Sequence, residues 1–330
     1  MKRHKICKII FAILAVFLCV AFYELIGICI TYKKQPAVSD ATIKETQNIM
    51  SVAGRENTER AVIIEKNSQA LLERVRLIQN AKDEIILSTF AFKSDESGKL
   101  ILGALHDAAD RGVHVRILVD GMESWIDMEG NPYFYGLSSH ENVEIKLYNK
   151  ANPLKPWKTM GRMHDKYLIA DGKIYILGGR NTYNYFLGDF PGHKNFDRDV
   201  LVVCDEPQKD NSVNQLWNYF ETIWEQEDCR YFHNSKKLAD RQSVKKAVLE
   251  LQEGYQQYFE VNKEKICDTD YADETFETEK ITLLSNPIHT QAKEPVVWYQ
   301  LGELMKNAKE CVKIHTPYIC LLYTSDAADE

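Results

Sequence analysis

The sequence predicts an α/β fold, a mixed sheet flanked by helices, carried behind an N-terminal transmembrane helix. Three observations predict it. Helical and strand patterns alternate from residue 61 onward. An apolar run at 9–32 precedes them. An Asp-Gly pair flanked by alternating apolar residues, Asp171-Gly172, marks a β-hairpin in mid-chain. The composition agrees: 330 residues, 45% hydrophobic and 27% charged, suffice for one large domain or two moderate ones and exclude disordered, collagenous and disulfide-scaffold chains. A formal charge of −7 supplies no global basic field for a nucleic-acid backbone, so phosphate chemistry here has to come from a local site. The eight cysteines show no C-x-x-C spacing, which implies neither a zinc site nor obligatory disulfides.

Residues 1–8 form a basic N-terminus, with Lys2, Arg3, Lys5 and Lys8 ahead of the apolar run. Residues 9–32 read as a transmembrane anchor: as a helix they reach roughly 36 Å, against about 30 Å of hydrocarbon. Lys33 and Lys34 alone follow closely, so the positive-inside bias puts the globular part outside the cytoplasm. This predicts a single-pass protein of a bacterial cell membrane. A cleaved signal peptide is the rival, but the run is long for one, and its small-x-small site, Ala37-Val38-Ser39, lies late. Glu24 within the span reads as a tolerated off-centre charge. Residues 33–60, polar and without clear periodicity, read as a linker.

A first unit is expected over 61–270. Leu71, Val75 and Ile78 fall at helical spacing ahead of a β-rich run at 85–90. Ile101, Ala104, Leu105, Ala108 and Ala109 mark a second helix, Gly112 suits its C-terminus, and 113–119 is a strand ending at Asp120-Gly121. Val143, Ile145 and Leu147 alternate as a strand, while Val213, Leu216, Trp217, Phe220, Ile223 and Trp224 form the apolar face of a helix. A charged helical pattern from about 236 to 260 is expected to separate this unit from the next. Asn80-Ala81-Lys82 before a strand recurs 227 positions later as Asn307-Ala308-Lys309, so 271–319 reads as the start of a second unit. Residues 320–330 resemble the translated read-through of a sequencing-library adapter, and the chain is therefore expected to be C-terminally truncated.

The chemistry gathers around the hairpin. A two-residue turn at Asp171-Gly172 would pair Lys166 with Leu177, His164 with Gly179 and Arg162 with Asn181. His164 and Lys166 then share a face with Cα atoms about 6.8 Å apart; Arg162 and Asn181 share that same face, and Arg162 is expected on the phosphate. Gly179 opposite His164, with Gly178 beside it, is expected to leave room for a bulky anion. A neutral imidazole can attack phosphorus or move a proton near neutral pH. Lys166 supplies a compact positive charge for non-bridging oxygens, and Asn181 adds a neutral donor. A lone strand His is usually structural, and the turn by itself explains Asp171. The joint pattern is harder to explain away, because an apolar strand has no structural reason to carry His and Lys on one face opposite Gly.

His164-x-Lys166-x4-Asp171, followed by Gly178-Gly179-x-Asn181, resembles the HxKxxxxD signature of the phospholipase D superfamily. The likeness extends to Ala-Ala-Asp-Arg-Gly-Val at 108–113, to Leu118-Val119-Asp120-Gly121 and to Asn195-Phe196-Asp197-Arg198-Asp199-Val200. It is strongest to the bacterial cardiolipin synthase-like branch and covers about residues 61–319. The resemblance implies two such units packed around one site. One His attacks the phosphodiester and becomes a phosphohistidine, and the other protonates the leaving alcohol. It implies His164 as nucleophile, Lys166 and Asn181 on phosphate oxygens, Asp171 as the motif's carboxylate and Asp197 as the carboxylate that orients the imidazole. No second His-x-Lys-x4-Asp occurs in the sequence, so the chain carries half of such a site and is expected to be inactive alone.

The leading expectation is a membrane-anchored phosphatidyltransferase acting on phosphatidylglycerol, completed by a second unit in cis, with no metal and no cofactor. Phospholipase D hydrolysis, a nuclease and a non-catalytic membrane-tethered binding module are the alternatives. Acidic charge and the anchor disfavour nucleic acid as a partner.

Overall fold

A nine-stranded mixed sheet with helices on both faces organises the chain. The computed structural model describes residues 2–51, 58–152, 154–158 and 160–314. Its elements in order are α1 (Lys2–Tyr32), α2 (Asp40–Ser51), β1 (Glu59–Ile64), α3 (Asn67–Asn80), β2 (Glu84–Thr89), α4 (Glu96–Asp110), β3 (His114–Asp120), α5 (Gly121–Asp127), α6 (Pro132–Ser138) and β4 (Val143–Tyr148). A 3₁₀ turn (Pro156–Lys158) precedes β5 (Tyr167–Ala170), β6 (Ile174–Gly178), β7 (Asp199–Cys204), α7 (Ser212–Trp224), β8 (Cys229–Tyr231), α8 (Lys236–Ala239), α9 (Gln242–Cys267), β9 (Phe276–Glu277) and α10 (Val296–Lys306).

The strand order is β8-β4-β3-β2-β5-β6-β7-β1-β9. β2, β3 and β4 run parallel through the helical crossovers, and the hairpin strand β5 joins β2 antiparallel. Alternation along the strands divides the core. Ile85, Leu87, Val115, Ile117, Val119 and Leu168 meet α3, α4, α6 and α9 on one face. Ile86, Leu118, Ile169 and Val202 meet Val213, Leu216, Phe220 and Ile223 of α7 on the other.

Several expectations change here. The presumed linker carries α2 and the start of β1, which the sheet recruits through β7 and β9. The charged pattern read as a separator is α9, whose Val244, Ala247, Leu251 and Tyr255 are buried against the first unit. Its apolar positions are few but fall on one stripe, and that is enough to dock a helix. β9, expected in a second unit, completes the edge of the first unit's sheet. The strand expected at 312–316 is non-helical, non-strand chain over its described part, 312–314. Its remainder and the tail at 320–330 lie outside the described residues. α1 is long and apolar enough to cross a membrane, by length and composition, over Lys5–Tyr32.

Candidate active site

The hairpin forms with a three-residue turn. Asp171 and Gly172 both take positive φ, 51° and 61°, and the Lys173 N–H donates to Ala170 O at 3.0 Å. Tyr167 therefore pairs with Leu177 and Ala170 with Ile174, one residue out of the expected register. Lys166 comes opposite Gly178, whose N–H donates to Lys166 O at 3.1 Å, and His164 no longer faces Gly179. The glycines also make room for something other than expected. A Cβ on Gly178 would stand 1.9 Å from an Asp199 carboxylate oxygen, and one on Gly179 2.0 Å from an Asp197 oxygen. They admit these two carboxylates, not the imidazole.

His164 and Lys166 nonetheless reach one cavity of about 380 Å³, lined also by Arg162, Asp165, Gly178, Tyr219 and Lys293. Phe90, just past β2, gathers them. Its ring meets the His164 ring edge-on at 4.6 Å between centroids, the Lys166 ammonium lies 5.3 Å from it and the Arg162 guanidinium 4.9 Å. Neither ring nitrogen of His164 has a hydrogen-bond partner among the described residues, and the side chain is exposed to the cavity. Burial, then the Lys166 charge, pushes the imidazole below its ordinary pKa, with Asp120 opposing. His164 is therefore neutral at pH 7. Lys166 is buried, donates to His164 O at 2.5 Å and has its pKa lowered to about 8 by desolvation.

Asp120 was missed as a site residue, although an acidic strand end followed by Gly and, three residues on, by Glu123 is a capping signal. Its buried carboxylate caps α5 through the Met122 and Glu123 N–H groups at 3.0 and 3.3 Å. It also accepts from Met163 N–H at 3.1 Å and pairs with Arg162 at 2.7 Å. One carboxylate thus ties β3, α5 and the segment that carries His164. Asp165, beside the motif's two bases, accepts from Tyr219 OH at 2.8 Å, and burial raises its pKa.

Four of the expected site residues have other partners within the chain. Arg162, expected on phosphate, is engaged by Asp120 and Glu123. Asp197, expected to orient His164, accepts from Arg198 N–H at 2.7 Å and acts electrostatically on Lys166, while the carboxylate acting on His164 is Asp120. Asn181 is buried with its side-chain oxygen accepting from Ala91 N–H at 3.1 Å and is not among the cavity-lining residues. Asp171 sits at the far end of the hairpin, accepting from the N–H groups of Lys82, Asp83 and Glu84 at 2.9, 2.8 and 3.0 Å. Its role is to hold the turn against the start of β2. Behind the site, the buried Asp199 carboxylate pairs with Arg74 at 2.9 Å and Arg180 at 3.3 Å.

Comparison with known proteins gives likenesses in sequence and in fold. Residues 75–224 match the family model described as cardiolipin synthase, PLD-like domain. An uncharacterized protein of Helicobacter pylori (strain ATCC 700392 / 26695) is 27% identical over 79% of this chain and 54% of its own length. Cardiolipin synthase C of Escherichia coli (strain K12) is 29% identical over 42% of this chain and 31% of its own. The chain thus spans about half or less of these curated relatives. Among solved structures, the phospholipase D family member Nuc from Salmonella typhimurium aligns with a TM-score of 0.39 at 18% identity, covering 53% of this chain and 99% of that one. Residues 75–224, a little under half of the chain, thus resemble the phospholipase D superfamily. Within it, the match falls in the cardiolipin synthase-like branch, among proteins of the phosphodiesterase and phosphatidyltransferase type.

Proposed function

We propose that the chain is part of a membrane-anchored phosphatidyltransferase that joins two phosphatidylglycerol molecules and releases glycerol, with half of the active site on this chain. One observation carries this reading: an exposed, neutral imidazole without a hydrogen-bond partner shares a cavity with a buried, under-compensated ammonium. An imidazole nitrogen of His164 attacks phosphorus, and the bond to the glycerol oxygen breaks as that oxygen takes a proton. Lys166 stabilises the charge on the non-bridging oxygens. The hydroxyl of a second phosphatidylglycerol then attacks phosphorus, giving its proton back to the base that protonated glycerol, and the P–N bond breaks to release the imidazole. The proton donor is the His of a second HxK unit in the same polypeptide, and α1 anchors the site beside its lipid, with the domain outside the cytoplasm.

The test is incubation of labelled phosphatidylglycerol with the full-length polypeptide. We expect cardiolipin, glycerol and acid-labile label on the peptide that contains His164. His164→Ala should lose all three, a fall of at least about 10³-fold in turnover. Unchanged turnover in that variant removes His164 from the mechanism. Phosphatidic acid without cardiolipin turns the reading to hydrolysis.

A further inference from the structure

The anchor helix does not leave the domain at its last residue. Within its C-terminal turns, Glu24, Gly27, Ile28, Thr31 and Tyr32 are half-buried and the other residues exposed, a spacing that selects one helical face. That face lies on the domain, running against the 3₁₀ turn. Tyr23 OH donates to Leu154 O at 3.4 Å and Tyr32 OH to Thr290 O at 3.0 Å. This fixes depth. A hydrocarbon core of about 30 Å takes about 20 helical residues. Centred on Lys5–Tyr32, it leaves Tyr23 roughly 7 Å from the midplane. Shifted as far as possible toward the N-terminus, it still ends at about Glu24. In either placement the domain surface that carries Leu154 meets lipid.

Large apolar side chains are exposed both on α5 and on the segment after β4. Trp125 is 63% exposed, Ile126 69%, Leu154 79% and Met160 59%. The α5 residues and the segment after β4 share one end of the sheet: a Cβ on Gly121 would stand 2.6 Å from both Lys150 N and Tyr148 O. Arg162, bonded to Asp120 and Glu123, closes the same segment one residue before Met163 and two before His164. Exposed Lys150 and Lys155 flank it.

We propose that Trp125, Ile126, Leu154 and Met160 form a seat that lies in the surface of an anionic phospholipid bilayer, in the leaflet entered by the C-terminal turns of α1. This deepens the lipid-substrate reading above and rests on it. Trp at the interface and apolar side chains below it hold the His164 cavity at the level of lipid phosphates. The lysines favour anionic head groups.

The test is the full chain reconstituted in phosphatidylglycerol-containing vesicles, with lipids brominated along the acyl chain as fluorescence quenchers. Quenching is expected in the wild type and should fall in Trp125→Phe, with flotation and far-UV circular dichroism unchanged. Leu154→Trp in the Trp125→Phe background should restore quenching. Equal quenching in the wild type and Trp125→Phe, with none gained in the second variant, overturns the proposal, as does a chain that does not float with vesicles. Quenching requires no turnover. A failed cardiolipin assay with Trp125 quenched removes only the reaction, whereas normal turnover with Trp125 unquenched removes only the seat.

Discussion

The two ends of the β5–β6 hairpin carry residues of one sequence motif and are held in opposite ways. At the turn, Asp171 has three backbone donors within 3.0 Å and stands in full hydrogen-bond balance. At the open end, Lys166 is buried with its pKa down at about 8, and His164 has no hydrogen-bond partner among the described residues. A fold tolerates such a deficit where a ligand makes it good. An anionic phosphate in the cavity would relieve the Lys166 deficit, and nothing comparable is needed at the turn. Stability and chemistry are therefore separated along about 17 Å of one ribbon, estimated from its rise per residue.

Lys166→Met breaks the comparison most sharply. Turnover should fall by about 10²–10³-fold, because the charge facing the developing oxyanion is gone. The same variant should melt at a higher temperature than the wild type in the absence of lipid. The sign follows from linkage: with its folded pKa below the unfolded value of about 10.4, Lys166 in its charged form opposes folding. That penalty is fully present below about pH 8 and is relieved as pH rises toward the unfolded value. A lower melting temperature would show that the open end is not in deficit.

A pH profile of kcat/KM sharpens the same point. The mechanism needs neutral His164 and charged Lys166. The acid limb should lie below about 6.5, the ordinary imidazole value, and the alkaline limb should fall about tenfold per unit above about pH 8. Lys166→Arg should remove the alkaline limb even at reduced activity, and a limb unmoved by that change would belong to another group. The smallest effect on chemistry is expected at the turn. Asp171→Ala should lose about 1–3 kcal/mol of stability by urea denaturation, leaving turnover of the folded fraction within about twofold. A large kcat defect at unchanged stability would return Asp171 to the mechanism.

The motif's His and Lys were legible because two such residues, two apart on an apolar strand, have no packing explanation. Their surroundings were not. The register slipped by one because Asp171 and Gly172 can start a two- or a three-residue turn, and the structure takes the three-residue one, which pairs Ala170 with Ile174. Asp120 read only as a strand end, since the Arg162 and Met163 groups it binds lie about 40 residues away in the chain. Phe90 gave no signal beyond its place in an apolar run, yet its ring is where the His164 imidazole and the Lys166 and Arg162 cations meet.

What the sequence by itself determined was local: the strand alternation, the helical stripes of α3, α4 and α7, the hairpin at Asp171-Gly172, the apolar length of α1 and the His-x-Lys pair. These follow from backbone geometry and side-chain spacing within a few residues. Only the tertiary structure decided which carboxylate acts on His164, that Gly178 and Gly179 make room for Asp199 and Asp197, that α9 and β9 complete the first unit, and that the last turns of α1 lie on the domain. Each of these joins residues far apart in sequence, where packing space and charge balance, not periodicity, select the partner.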